Sequence, residues 1–313
     1  MFSLDRIALG TDFGDAAARA ARWITEHFAP RAHLDLVHAL DARRPPGFLV
    51  GAFPHLEQTL ETLAYGAGER LSELARTLDP RRPGTILERD GAPADALLAA
   101  AERVEADMIA VAEHGRRRGL GRLLGSVPDR LARETDRPLL VVRGVAERPP
   151  RRILVSLADS PEAAETLDWA RYLAELHRAR LLVLHVESCW YADQVRLHLN
   201  DREADDMAAL QRRQGRSWLA GLIAAARLDA VDFESRVESG QPGVEILRAE
   251  RAFDAELTIC GLRGSGRATP FLGSVARFVL QKGRAPFLGV PRPQPSMKST
   301  DSDTISGVGE APS

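Results

Sequence analysis

The sequence predicts an α/β protein of two consecutive domains, each a mostly parallel five-stranded sheet with helices on both faces. Short apolar runs alternate with amphipathic helical stretches, the pattern of strands joined by crossover helices. The complete order then occurs a second time at a nearly constant spacing. With 313 residues, the chain is long enough for two domains that each bury a core.

Ile7-Ala-Leu-Gly-Thr-Asp12 is an apolar run closing in a polar turn and reads as a buried first strand. Ala17, Ala20, Ile24 and Phe28 fall on one face at spacings of three and four, which predicts a helix from about Asp15 to Phe28. Leu34 to Leu40 is a second strand with His38 near its end, and Arg43-Arg-Pro-Pro-Gly47 is a loop. Leu56, Leu60, Leu63, Leu71, Leu74 and Leu78 then recur at helical spacing. A strand at 85–88 follows, and Pro93 stands where the first turn of a helix tolerates it. Asp107-Met-Ile-Ala-Val-Ala112 is the fourth strand. A Gly- and Arg-rich loop, a helix from Ser126 and a strand from Pro138 to Val142 complete the first unit.

After the stiff linker Arg148-Pro-Pro150, the order repeats. Ile153-Leu-Val155 answers Ile7-Ala-Leu9, and Leu181 to His185 answers Leu34 to His38. Arg236-Val-Glu-Ser-Gly-Gln-Pro242 answers Leu87-Glu-Arg-Asp-Gly-Ala-Pro93, and Gly273-Ser-Val275 answers Gly125-Ser-Val127. The offset stays between 146 and 149 residues, so the chain is an internal duplication. The domains expected are residues 1–147 and 148–293. The polar, aperiodic residues 294–313 are expected to form a disordered tail.

Composition narrows the function. A net charge of −2 does not provide the basic surface that holds nucleic acid by bulk charge. Lys282 and Lys298 are the only lysines among 42 basic residues, a bias expected from a GC-rich coding background, so arginine number carries no functional weight. Cys189 and Cys260 form neither a disulfide framework nor a CxxC pair, as in a reducing cytoplasm. Met1 to Gly10 reads as a strand rather than a signal peptide, and no apolar run is long enough to span a bilayer. The expectation is a cytoplasmic protein with no membrane or nucleic-acid partner.

The chemistry concentrates in the loop after the fourth strand of each half, Val111 to Val127 and Cys260 to Val275. A Gly-rich loop running into a helix N-terminus exposes backbone N–H groups and a positive dipole end, both of which favour an anion. Other phosphate fingerprints are missing: there is no GxxxxGK[ST], and Gly10-Thr-Asp-Phe-Gly14 is not GxGxxG.

The loop pattern resembles that of the universal stress protein family, whose nucleotide-binding members carry GxxG, nine residues, then G[ST]. The companions match as well: Asp12 after the first strand, His38 and His185 closing the second, and Gly-x-Pro before the third helix. Two copies over about 290 residues resemble a tandem member. The resemblance implies Rossmann-like domains of the adenine nucleotide alpha hydrolase type, paired about a pseudo-twofold through 139–143 and 287–290. It implies ATP, carried with Mg²⁺, as the ligand of a sensor or switch in stress adaptation, acting with a protein partner and with a further homodimer open. It also implies roles for individual residues. Asp12, next to Thr11, hydrogen-bonds adenine, and Ala39 and Val186 line the base. Val111, Ala112 and Gly115, with Cys260, Gly261 and Gly264 in the second half, form the loop floor and let backbone approach ribose and phosphate. Gly125, Ser126 and Val127, with Gly273, Ser274 and Val275, donate N–H and hydroxyl groups to phosphate oxygens.

Each half departs from that pattern. The first keeps Asp12 and the nine-residue spacing but has Ala112 for the leading glycine, and Glu113 brings a carboxylate that Arg116, Arg117 and Arg118 are expected to offset. The second keeps Gly261 and Gly264 with one residue fewer before Gly273, and Ala158 replaces the adenine-reading Asp. The first half is therefore expected to be the better ATP site. Ser126 and Ser274 also suit ordinary helix starts. His38 and His185 read as packing residues, His114 as a loop residue, and Cys260 as pocket floor rather than reactive thiol. No general base or Walker-type Lys supports efficient hydrolysis, so no catalytic residue is assigned. The alternatives are a nucleotide-free scaffold and a slow ATPase.

Overall fold

The computed structural model describes residues 3–40, 55–78, 84–88, 91–113, 126–188, 201–263 and 272–292. The first half runs β1 (Arg6–Gly10), α1 (Asp15–Trp23), β2 (His33–Ala39), α2 (Leu56–Leu78), β3 (Gly84–Glu88), α3 (Pro93–Arg103), β4 (Met108–Ala112), α4 (Ser126–Glu134) and β5 (Leu139–Val142). The second runs β6 (Arg152–Leu157), α5 (Ala163–His177), β7 (Arg180–Ser188), α6 (Asp201–Ala226), β8 (Phe233–Gly240), α7 (Pro242–Phe253), β9 (Leu257–Gly261), α8 (Ser274–Lys282) and β10 (Phe287–Val290).

The strands form one sheet in the order β3-β2-β1-β4-β5-β10-β9-β6-β7-β8. Pairing within each half is parallel. The halves meet where β10 runs antiparallel to β5, with Leu288 opposite Leu140. That seam gives each terminal strand a hydrogen-bonding partner in place of an exposed edge. It is also the pseudo-twofold pairing implied by the resemblance.

Period-two alternation explains the apolar runs. Ile7, Leu9, Met108, Ala110, Leu140 and Val142 face one layer, and Ala8, Ile109, Val111, Leu139 and Val141 face the other. Each layer is continuous across the seam, because Ile153, Val155, Ile259 and Leu288 join the first and Leu154, Cys260 and Phe287 the second. Two local expectations change. The helix expected to reach Phe28 is α-helical only to Trp23 and continues as a π-turn over Ile24–Phe28, where the Ala29 N–H donates to the Ile24 carbonyl at 2.8 Å. The wider turn keeps both Ile24 and Phe28 buried. In α2, Leu63 is 55% exposed, because Ala64, Ala67 and Leu71 form the inward face instead.

The first layer also crosses between halves through side chains. The Trp23 indole N–H donates to the Arg148 carbonyl at 3.2 Å, which fixes the linker. The Phe28 and His177 rings lie 5.7 Å apart. His177 is buried, its Nε2 has no hydrogen-bond partner among the described residues, and burial, with the Arg151 charge, pushes its pKa from 6.5 to about 4. The unfolded chain therefore binds more protons than the folded one between these values. Stability is expected to fall by about 3 kcal/mol as pH drops from 6.5 to about 4. Urea denaturation across that window should show the slope in the native chain and lose it in His177→Leu; an unchanged slope in the variant would assign it elsewhere.

Candidate functional site

In each half the connections leave the central strand pair in opposite directions, so a crevice opens at the carboxyl ends of β1 and β4, and again of β6 and β9. Ligands of open α/β sheets bind at such switch points. Thr11 to Phe13 and Ala112 to Glu113 flank the first crevice, and Leu157 to Asp159 and Gly261 to Arg263 flank the second.

The turn after β1 is fixed from several directions. The Thr11 N–H donates to the Val37 carbonyl at 2.8 Å, and the Thr11 hydroxyl accepts from the Phe13 N–H at 3.1 Å. Asp12 Oδ1 accepts the Gly14 N–H at 2.9 Å, which aims the carboxylate, while Phe13 takes a positive φ of 60°. His38 closes the arrangement: its Nδ1 hydrogen-bonds the Thr11 carbonyl at 2.7 Å and its ring packs 4.3 Å from Phe13. The packing role expected of His38 is thus specific, because it holds the turn that presents Asp12. Ala39 ends β2 half-buried beside it. Val111 is buried, and Ala112 faces the crevice at the end of β4. Ser126 is exposed as the first residue of α4, and the Val127 side chain packs against the second core layer. Gly115 and Gly125, with His114 and Arg116 to Arg118, lie outside the described residues. The carboxylate of Glu113 has a partner that sequence reading missed: Arg143 Nη1 donates to it at 3.2 Å.

In the second half, His185 Nδ1 hydrogen-bonds the Leu157 carbonyl at 2.9 Å, as His38 does Thr11. Ala158 therefore occupies the place of Asp12, and that position carries no carboxylate. Val186 is buried at the end of β7. Cys260 is buried, and burial pushes its pKa up to about 12, so it is a core thiol and not a thiolate. Gly273 precedes α8 in extended conformation, and its N–H donates to the Leu262 carbonyl at 2.8 Å. That donor is used within the loop itself. Ser274 is exposed and Val275 packs inward. Gly264 lies outside the described residues.

One further residue was not legible as a site residue. Glu162, at the start of α5, is 1% exposed. A Cβ built on Gly261 would meet Glu162 Cγ at 2.6 Å, so the leading glycine of the second loop makes room for this side chain. Burial raises the Glu162 pKa, partly offset by Arg292, Ser160 and the Arg263 backbone N–H nearby. Trp169 and Ala163 on α5 are buried as Trp23 and Ala17 are on α1, so Glu162 stands where the first half has Ala16.

Residues 3–143 and 150–291 each match the Universal stress protein family, and the chain belongs to that family as a tandem member. A universal stress protein of Synechocystis is 29% identical over 147 residues, 41% of this chain and 90% of its own length. Among solved structures, a universal stress protein from Archaeoglobus fulgidus DSM 4304 has a TM-score of 0.65 at 19% identity, covering 92% of this chain and 96% of its own. A functionally unknown protein from Pseudomonas aeruginosa PAO1 reaches 0.62 at 17% identity, covering 93% of each. At these identities the two structures establish the fold.

Each loop also holds the far half. Buried Arg143, after β5, donates through Nη1 to the Leu280 carbonyl at 2.6 Å, through Nη2 to Val279 at 3.3 Å and through Nε to Ala285 at 2.7 Å. It caps the C-terminal end of α8, where a cation meets the negative end of the dipole. Arg263, from the second loop, donates to the Ala132 and Arg133 carbonyls at 2.7 Å and so caps α4. Burial lowers the Arg143 pKa from its ordinary value, and the nearby Glu113 and Glu250 charges oppose the shift. Arg143→Met removes the donors to the Leu280 and Ala285 carbonyls and the ion pair with Glu113, and is expected to cost about 3–5 kcal/mol in urea denaturation. A loss under about 1 kcal/mol would show that these contacts do not hold the halves together.

Proposed function

We propose that the first half binds adenine nucleotide, ATP carried with Mg²⁺, and that the chain works as a nucleotide-dependent switch in stress adaptation. The carrying observation is the turn at Thr11 to Gly14, pinned by His38 and β2, which holds a carboxylate at the mouth of the β1/β4 crevice. A fixed carboxylate there suits the exocyclic amine of a purine as hydrogen-bond donor, with Ala39 beside it giving an apolar wall.

The residues present in the first half fit such a ligand. Ala16 and Ala112 carry only methyl groups where the second half carries Glu162 against Gly261, so no side-chain carboxylate stands at that place in the first half. Arg143 partly neutralises Glu113, lowering the electrostatic cost of bringing phosphates near it. The Ser126 and Val127 N–H groups open α4, where the dipole favours an anion. Bound ATP would bring its charge to the mouth of the crevice, and the surface there would then differ for a partner that reads it. Mg²⁺ would travel with the triphosphate. Among the described residues no cluster of three or more His, Cys, Asp or Glu side chains is placed to hold a metal by itself.

Isothermal titration of the purified chain with Mg·ATP tests the reading: heat saturating at one equivalent is expected. Asp12→Ala should weaken binding about ten- to hundredfold, the loss of a buried base contact, and Gly125→Asp should abolish it. No heat at near-millimolar ATP would leave the nucleotide-free scaffold, and loss of binding on Gly273→Asp but not Gly125→Asp would put the site in the other half.

A further inference from the structure

We propose that Glu162 is a built-in occupant of the second half's cradle and excludes nucleotide phosphate from it, so that the duplication carries one open site and one closed by its own side chain. The inference rests on the nucleotide reading of the first half. It rests equally on three observations about the second.

First, Glu162 is 1% exposed, and the groups around its carboxylate are the Ser160 hydroxyl, the Arg263 N–H and, 4.0 Å from Oε2, Arg292 Nε. Burying a carboxylate is costly, and burial raises the Glu162 pKa. Second, the carboxylate lies against the loop backbone itself. Its Oε1 would be 3.1 Å from a Cβ on Gly261, and the Arg263 N–H approaches it. Those are the backbone groups a phosphate would approach in the cradle. An acid placed there both fills the space and repels a second anion. Third, the exchange between halves is reciprocal. By the repeat, Ala16 corresponds to Glu162 and Ala112 to Gly261, and in the second half Glu162 Cγ lies 2.6 Å from where a Cβ on Gly261 would stand. The leading glycine of the second loop therefore serves the internal carboxylate rather than a ribose.

Two donors of this loop are used within the protein: the Gly273 N–H is taken by the Leu262 carbonyl, and the Arg263 guanidinium is turned across the seam to cap α4.

Two measurements on the full chain test this. In equilibrium dialysis with Mg·ATP, the native chain should retain one equivalent. Glu162→Ala, and Glu162→Ala combined with Ala158→Asp to restore the base reader, should raise second-site affinity at least about tenfold and bring uptake towards two. Two equivalents in the native chain, or one in the folded double variant, overturns the proposal. No uptake by any of the three overturns the nucleotide reading together with it. The second measurement needs no nucleotide: Gly261→Ala should lower the melting temperature of the native chain by several degrees and leave that of Glu162→Ala nearly unchanged. Equal losses in the two backgrounds would show that Glu162 does not occupy the space beside Gly261.

Discussion

The antiparallel pairing of β5 with β10 is the interaction on which the rest of the molecule depends. A single five-stranded unit of this kind would end on an open strand; here each half ends on the other. Because the strands are buried on both faces, joining two edges also merges two cores, and apolar layers run across the seam above and below the sheet. Trp23, Phe28 and His177 close one face, and the two arginines that cap opposing helices close the other. Those helices, α4 and α8, begin at the candidate cradles. The contacts that hold the halves together therefore also set the far ends of the elements that would meet a ligand.

Duplication gave two crevices, and local chemistry has made them unequal. Both use a strand-end histidine on the backbone of the preceding turn, so the scaffold is the same. The first presents Asp12 and leaves methyl groups at Ala16 and Ala112. The second has lost the carboxylate at Ala158 and gained one at Glu162, on the opposite side of the crevice. A carboxylate at the mouth recognises a donor; a carboxylate against the loop backbone competes with an anion. Moving the acid a few residues along the chain inverts what the crevice accepts.

Much of this was legible in the sequence. Strands buried on both faces write themselves as apolar runs, and the repeat of strand-end His and Gly-Ser helix start located both crevices. The errors share a physical origin. Leu63 looked like core because leucine recurs at helical spacing, but closely packed alanines decide which face of α2 turns inward. A partner of Glu113 that the sequence did not suggest, Arg143, follows the adjacent strand. Glu162 carries no signal in the sequence, since Glu near a helix N-terminus is common. Its meaning depends on facing a glycine almost a hundred residues away. Contacts across the sheet between residues of unlike type leave no local period to detect.

The central claim is that the first crevice, and not the second, holds the nucleotide. Amide hydrogen exchange of the intact chain with and without Mg·ATP tests it most directly. The account predicts slowed exchange at Thr11 to Gly14 and at Ser126 and Val127, with Leu157 to Ser160, Gly261 to Arg263 and Ser274 to Ala276 unchanged. Protection confined to the second set would contradict it.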